Sequence, residues 1–196
     1  TLDLSSFMWL PERILQYFKE GMDVTQRFGF SQLLAICSFQ HGWALAQDGR
    51  YETAIEEMTH ALDQYKALGA AAVIAPRLTA QLASVYGQAG RAEEGLRVLE
   101  SSPDRVSGRK RVRYAEISRI EGKLQLLKTE PDPVLAEQFF QEAIEIAIED
   151  QARAKQLRAV ASLAKLWRMQ GKIKEAKELL HPMYDSFTEG FDMPDM

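Results

Sequence analysis

Three histidines and one cysteine are the residues in this sequence best suited to metal binding or nucleophilic chemistry. His41, His60 and His181 lie far apart along the chain, and no acidic or thiol residue stands at a metal-ligand spacing from any of them. Cys37 lies among apolar residues, which favours a small buried side chain. We therefore predict no catalytic residue, no metal site and no cofactor, and we interpret the histidines as packing or surface residues.

The glycine-rich stretch GQAGRAEEG, residues 87–95, is the nearest approach to a phosphate-binding loop. It follows a helical pattern instead of a strand, and it lacks the Lys-Ser/Thr pair that such a loop requires. Paired carboxylates such as Glu56-Glu57 and Glu93-Glu94 fall on polar helix faces. These patterns predict that the isolated chain is not an enzyme, although an enzyme with an unrecognised site remains an alternative.

The composition is that of a soluble, globular, cytoplasmic protein. The chain has 196 residues, of which 46% are hydrophobic and 27% charged, and its net charge is −4. That charge disfavours a nucleic-acid binder, and the longest apolar run, residues 67–75, is too short to cross a membrane. A lone cysteine excludes an intramolecular disulfide and fits a reducing compartment. Because the chain begins at Thr1, we expect it to be a fragment of a longer protein.

Helical periodicity determines which elements must position these residues. Apolar residues recur at steps of three and four throughout the chain, and no useful length alternates with the period of a strand. The pattern predicts an all-α protein with helices at about 10–28, 31–48, 51–68, 71–89, 92–101, 109–129, 133–149, 151–170 and 173–187.

The turns between these helices repeat. Gly49, Gly90 and Gly171 lie 41 and 81 residues apart, and the missing turn near residue 131 is occupied by Pro131-Asp132-Pro133. Asp132 is suited to cap the next helix and Pro133 to begin it. The spacing predicts a right-handed α-solenoid of tetratricopeptide-like helix hairpins with a period of about 41 residues.

We predict a single helical-repeat domain over residues 1–196. It comprises a half repeat at 7–29 and repeats at about 30–69, 70–108, 109–150 and 151–190. Small residues five positions after each turn are predicted to let the second helix approach the first: Ala54, Gly95, Ala136 and Ala176. The positions twelve residues earlier are mostly small too: Gly42, Ala83, Leu124 and Ala164. A half repeat leaves an apolar face uncovered, so self-association is expected as one outcome.

Three stretches carry a resemblance to a known family: HGWALAQDGRYETAIEEM, YGQAGRAEEGL and SLAKLWRMQGKIKEAKELLHPMYDSFTEGFDMPD. They resemble the carboxy-terminal helical repeats of bacterial multidomain signalling ATPases and of adenylate or guanylate cyclase-type regulators. The stretch from Ser101 to Arg105 departs from that family, in which the helix usually continues. The resemblance implies a bacterial signalling context; the ATPase and cyclase activities belong to other domains and are not implied for these residues.

A binding groove is predicted on the concave side, which the first helix of each hairpin lines in such solenoids. Projection from the small residues places there Phe39, Trp43, Arg77, Ser84, Gln88, Glu121, Gln125, Lys128, Arg158, Lys165 and Arg168, accompanied by Ile36, Gln47, Ala80, Ser118 and Ala161. Five of these residues are basic and one is acidic, which predicts attraction of an acidic peptide. The alternative interpretation is that the polar residues only promote solubility and that the aromatic residues belong to the core.

A second basic cluster comprises Arg105, Arg109, Lys110, Arg111 and Arg113. A nucleic-acid or anion site is one interpretation, and a solvated loop is the favoured one because short basic runs are weakly specific. Taken together, the patterns predict a non-catalytic scaffold or regulatory module that binds a peptide or a partner domain. The alternative is the sensor region of a signalling ATPase or nucleotide cyclase, which binds a small inducer or another domain of the same chain.

Overall fold

The computed structural model describes residues 11–69, 71–101 and 114–186. In these ranges the chain forms nine α-helices and no strand. The helices are α1 (Pro11–Arg27), α2 (Ser31–Gln47), α3 (Tyr51–Ala67), α4 (Ala71–Gln88), α5 (Ala92–Glu100), α6 (Ala115–Leu127), α7 (Pro133–Glu149), α8 (Arg153–Met169) and α9 (Ile173–Asp185). The all-helical prediction is confirmed for the described residues, and none of their helices is long and apolar enough to cross a membrane.

The apolar stripes form the interior. In α3 the apolar residues spaced three and four apart are buried, namely Ala54, Ile55, Met58, Ala61, Leu62 and Tyr65, whereas Leu68, which continues the spacing after the helix, is 42% exposed. In α7 the most buried stripe residues are Ala136, Phe140, Ala143 and Ala147. The stripe of α9 is less complete, since Tyr184 is exposed and Phe187 lies outside the described residues.

Glycine ends the first helix of three hairpins at the predicted turns. Gly49, Gly90 and Gly171 adopt φ values of 79°, 74° and 82°, which L-residues with a side chain rarely adopt. In each turn the following residue donates its backbone N–H to the carbonyl five residues earlier, as from Arg50 to Leu45 at 3.0 Å. The hydrogen bond satisfies a carbonyl that the helix end would otherwise leave without a partner.

The connection between α6 and α7 is different. The predicted helix over 109–129 is observed only from Ala115 to Leu127, and residues 109–113 lie outside the described part of the chain. Lys128 already has an extended backbone, and proline at 131 disfavours a helical conformation for the residue before it. The side chain of Asp132 accepts a hydrogen bond from the backbone N–H of Leu135 at 2.9 Å, so the predicted cap is confirmed. Five residues therefore connect this pair of helices, whereas three connect α2 to α3.

The chain divides into two compact units, Thr1–Arg109 and Lys110–Met196. In the first unit each helix from α1 to α5 packs against the next, and α2 also contacts α4. The second unit repeats this arrangement from α6 to α9, with α6 also in contact with α8. Each unit has its own buried core, represented by Phe39 and Met58 in the first and by Phe140 and Leu163 in the second. Successive hairpins thus place their first helices side by side.

Candidate functional site

The predicted groove residues differ in their exposure to solvent and belong to both units. Five of the eleven belong to the first unit and six to the second. The buried ones are Phe39, Glu121 and Gln125; the partly buried ones are Trp43, Ser84, Lys128 and Arg158; the exposed ones are Arg77, Gln88, Lys165 and Arg168.

In the first unit the two aromatic residues contribute to the core. Phe39 has 0% exposure, and Trp43 is partly buried against the same cluster. Phe39 therefore does not line a surface groove in this structure, because its side chain is fully buried. Arg77 and Gln88 are exposed on α4, separated by three turns of that helix.

Gly122, not Leu124, occupies the close-approach position of the third hairpin. A Cβ atom at Gly42 would lie 3.2 Å from the carbonyl oxygen of Ala54, and one at Gly122 would lie 3.0 Å from that of Ala136. The two glycines are thus equivalent, and the projection from Leu124 was two residues out of register. The cause is the connection to α7, which is two residues longer than the connection between α2 and α3.

This shift explains the burial of the polar residues on α6. Ser118, Glu121 and Gln125 have 2%, 1% and 8% exposure, so they point into the protein. When the projection starts from Gly122, the outward positions become Glu116, Arg119, Lys123 and Leu127. The sequence prediction missed these residues; the glycine at 122 was the signal that could have located them.

A groove of about 630 Å³ lies between α6 and α8 in the second unit. Four of its lining residues are basic: Arg119, Lys123, Arg158 and Lys165. Its apolar lining includes Leu126, Leu127, Phe140, Leu166 and Met169. None of the described side chains that line it is acidic, so its electrostatic potential favours an anionic ligand.

Ion pairs fix the amino-terminal end of the groove. Glu116 accepts hydrogen bonds from Arg119 through both carboxylate oxygens, at 2.5 and 3.0 Å. The same carboxylate lies 3.8 Å from the guanidinium of Arg158 on α8. Glu116 and Arg158 occupy equivalent positions, each six residues before the small residue of its helix. The two groove helices therefore run in the same direction and in register.

The other end of the groove is apolar. Leu127 is 55% exposed and Met169 is 71% exposed, and these residues also occupy equivalent positions on α6 and α8. Lys123 and Lys165 lie one helical turn before them. Two of the predicted basic residues, Lys128 and Arg168, are not among the described lining residues, and the ammonium group of Lys128 instead donates to the side chain of Gln125 at 3.2 Å.

Two further charged clusters connect consecutive hairpins. The guanidinium of Arg91 lies 5.0 Å from the centre of the Tyr86 ring and donates hydrogen bonds to Glu94 at 2.6 Å and to Glu52 at 2.9 Å. The hydrogen bond between Arg91 and Glu94 raises the pKa of the guanidinium and lowers that of the carboxyl. In the second unit Lys172 lies over the Trp167 ring in the same way, at 5.9 Å from its centre.

Two of the histidines lie beside carboxylates. Nδ1 of His41 lies 2.8 Å from the carboxylate of Glu57, which stands 16 residues later on α3. Nδ1 of His181 lies 3.0 Å from Asp185 on its own helix. Burial raises the pKa of the Cys37 thiol, which disfavours the reactive thiolate. No group of three metal-binding side chains occurs among the described residues, and the basic cluster at residues 105–113 lies outside them.

A tetratricopeptide repeat family model matches residues 76–101, which include most of α4 and all of α5. No curated protein and no solved structure matches the chain. The match and the nine described helices together support a tetratricopeptide-like helical repeat. Repeats of this kind generally mediate protein–protein interaction, and they are typically non-catalytic.

Proposed function

We propose that the chain is a non-catalytic interaction scaffold that binds an acidic peptide or partner domain along the first helices of its hairpins. The observation that supports this most directly is the groove between α6 and α8, which four basic side chains and several apolar side chains line. A preformed concave site of this size holds several side chains of a partner without any bond-making chemistry.

A capture experiment with a charge-matched control tests the scaffold. The groove variant carries Lys123→Glu and Lys165→Glu, and the control carries Lys155→Glu and Lys177→Glu at exposed positions that do not line the groove. Proteins retained from a lysate of the source cell are identified and then titrated as purified components. We expect the control to bind as the original chain does and the groove variant to lose binding. Equal binding by both variants would contradict a partner site in this groove.

The repeat organisation is part of this proposal. We propose that the hairpins follow a period near 41 residues and stack in a right-handed sense within each unit. The repeats would then lie at about 30–69, 70–108, 109–150 and 151–190, after a half repeat at 7–29. An uncovered apolar face at the half repeat would allow two copies to associate, which sedimentation at several protein concentrations tests directly.

A second candidate is the sensor region of a bacterial, cytoplasmic signalling ATPase or nucleotide cyclase. The segment HGWALAQDGRYETAIEEM and the ending FTEGFDMPD support it through their resemblance to such proteins. In that case the groove would bind a small inducer or another domain of the same polypeptide. The sequence of the complete reading frame tests this candidate. A nucleotide-binding or cyclase domain encoded in the same frame would favour the sensor, and a reading frame that encodes no such domain would favour the independent scaffold.

A further inference from the structure

Each wall of the groove carries a lysine followed four residues later by an exposed large apolar residue. The pairs are Lys123 with Leu127 on α6, and Lys165 with Met169 on α8. Residues four apart lie on the same face of a helix, one above the other. Because the two helices run in register, the four side chains form a basic band next to an apolar band across the groove.

The distance between the two bands fits an extended peptide. Four residues of α-helix rise about 6 Å, and two residues of extended chain span about 6.6 Å. Residues i and i+2 of an extended chain also point to the same side. A peptide lying along the groove would therefore direct a side chain toward the lysines and the next side chain but one toward Leu127 and Met169.

The charges favour the lysine band as the position of a carboxylate. At the amino-terminal end the single negative charge of Glu116 already offsets part of the positive charge of Arg119 and Arg158. Lys165, by contrast, is exposed and has no hydrogen-bond or ion-pair partner in the described part of the chain. An incoming carboxylate therefore gains its strongest attraction beside Lys165, where no acidic side chain lines the groove.

We propose that this groove recognises an extended peptide in which an acidic residue and a large apolar residue are separated by one residue. This inference rests on the proposed scaffold function and names the ligand of its second unit. The apolar side chain is required because Leu127 and Met169 are 55% and 71% exposed, and a purely anionic ligand would leave both in water. Inorganic phosphate would satisfy the lysines alone, so competition with phosphate separates the two ligand classes.

The test uses the full chain and fluorescent eight-residue peptides. The matched probe carries glutamate and leucine alternately at every second position. Leucine therefore lies two residues from glutamate in both chain directions. One control probe places them at adjacent positions only, a second replaces leucine with serine, and a third replaces glutamate with glutamine. We expect the matched probe to bind, each control probe to bind about tenfold more weakly, and affinity to fall with added salt.

Two groove variants and two controls complete the design. Lys165→Glu and Met169→Ser are each expected to weaken the matched probe about tenfold, while Lys177→Glu and Val134→Ser, both at exposed positions outside the groove, leave it unchanged. Met169→Ser should also reduce the preference for leucine over serine, because only Leu127 of the apolar band then remains. Equal affinity for all spacings, or full displacement of the probe by phosphate at matched ionic strength, would overturn the proposal. Failure of every probe while a protein partner is still captured through the groove would overturn this ligand class and leave the scaffold function standing.

Discussion

Gly122 lies directly against the ring of Phe140: a Cβ atom at this glycine would meet Cε1 of the ring at 2.6 Å. Gly42 has the same relationship to Met58, where a Cβ atom would meet Cγ at 2.7 Å. In both hairpins the two helices approach closely. A backbone carbonyl and a large side chain of the second helix therefore lie against the glycine of the first helix.

Gly122→Ala is therefore expected to destabilise the second unit. Alanine ordinarily stabilises a helix interior relative to glycine by about 0.5–1 kcal/mol, but here the added methyl overlaps a ring that has 1% exposure and cannot move aside. Overpacking of this kind costs about 1–3 kcal/mol. The free energy of unfolding, measured by urea titration with circular dichroism, should fall accordingly.

Two other glycines calibrate that measurement. Gly42→Ala should destabilise less, because the Met58 side chain is flexible. Gly21→Ala should be neutral or stabilising, since the nearest atom to an added Cβ is Cys37 Sγ at 3.3 Å and no other atom is close. If Gly122→Ala were as stable as Gly21→Ala, the close approach of α6 to α7 would be refuted.

Gln151→Gly is expected to stabilise the chain. Gln151 adopts φ of 54° between α7 and α8, a conformation that costs a residue with a side chain about 1 kcal/mol. Its backbone N–H already bonds the carbonyl of Ile148, so glycine retains that hydrogen bond. The free energy of unfolding should rise by about 0.5–1 kcal/mol. Gly171→Gln, which makes the opposite exchange in an equivalent conformation, should lower it; the same sign for both substitutions would contradict this explanation.

The positions of these turns were largely predictable from the sequence. Gly49, Gly90 and Gly171 carry a local signal, because the left-handed conformation at a helix end is costly for other residues. The turn at Gln151 carries no such signal, and Asp150, where the third predicted repeat ends, has a helical backbone at the end of α7. A left-handed turn can be recognised from the sequence where glycine occupies it. At Gln151 a residue with a side chain adopts this conformation, so the residue type does not reveal the turn.

The groove could be predicted only in part. Arg158 and Lys165 lie among the lining residues of the groove, and the connection from α8 to α9 has three residues, as the connection from α2 to α3 does. Arg119 and Lys123 were missed because the connection before α7 is longer, and a connection's length alters the register without altering the helical pattern. Pairings between helices, such as Arg91 with Glu52 39 residues earlier, depend on side-chain directions that periodicity does not specify.

Glu94 should make the stability of the first unit depend on pH. Its hydrogen bond with Arg91 holds the pKa of the carboxyl below its ordinary value of 4.5. A carboxyl whose folded-state pKa is depressed stabilises the fold above its unfolded-state pKa, and that contribution is lost as the pH falls through the folded-state pKa. The stability difference between the original chain and Glu94→Gln should therefore be constant near neutral pH and shrink below pH of about 4.5.

The control for this comparison is Glu56→Gln. Glu56 is exposed on α3 and has no ion pair with another described residue, so it reports the effect of removing one negative charge without breaking a contact. Unfolding midpoints of the three proteins are compared from pH 7 to about pH 3, a range that extends below the ordinary carboxyl pKa. A gap between the original chain and Glu94→Gln that widened on acidification would have the wrong sign for a depressed pKa.

Glu137 is expected to hold the last two hairpins together through Trp167. The indole N–H donates to its carboxylate at 2.8 Å, and Lys172, which lies over the same ring, is 3.7 Å from that carboxylate. Trp167→Phe retains most of the ring but removes the donor, and a neutral or charge-assisted hydrogen bond of this kind contributes about 1–2 kcal/mol. A double-mutant cycle that combines Trp167→Phe with Glu137→Ala should give a coupling free energy of that size, because the second substitution then removes a bond already lost.

Lys172→Met should give weaker coupling to Glu137, about 0.2–1 kcal/mol, since the carboxylate and ammonium are partly exposed. Strict additivity of Trp167→Phe and Glu137→Ala in urea unfolding would show that this carboxylate does not connect α7 to α8.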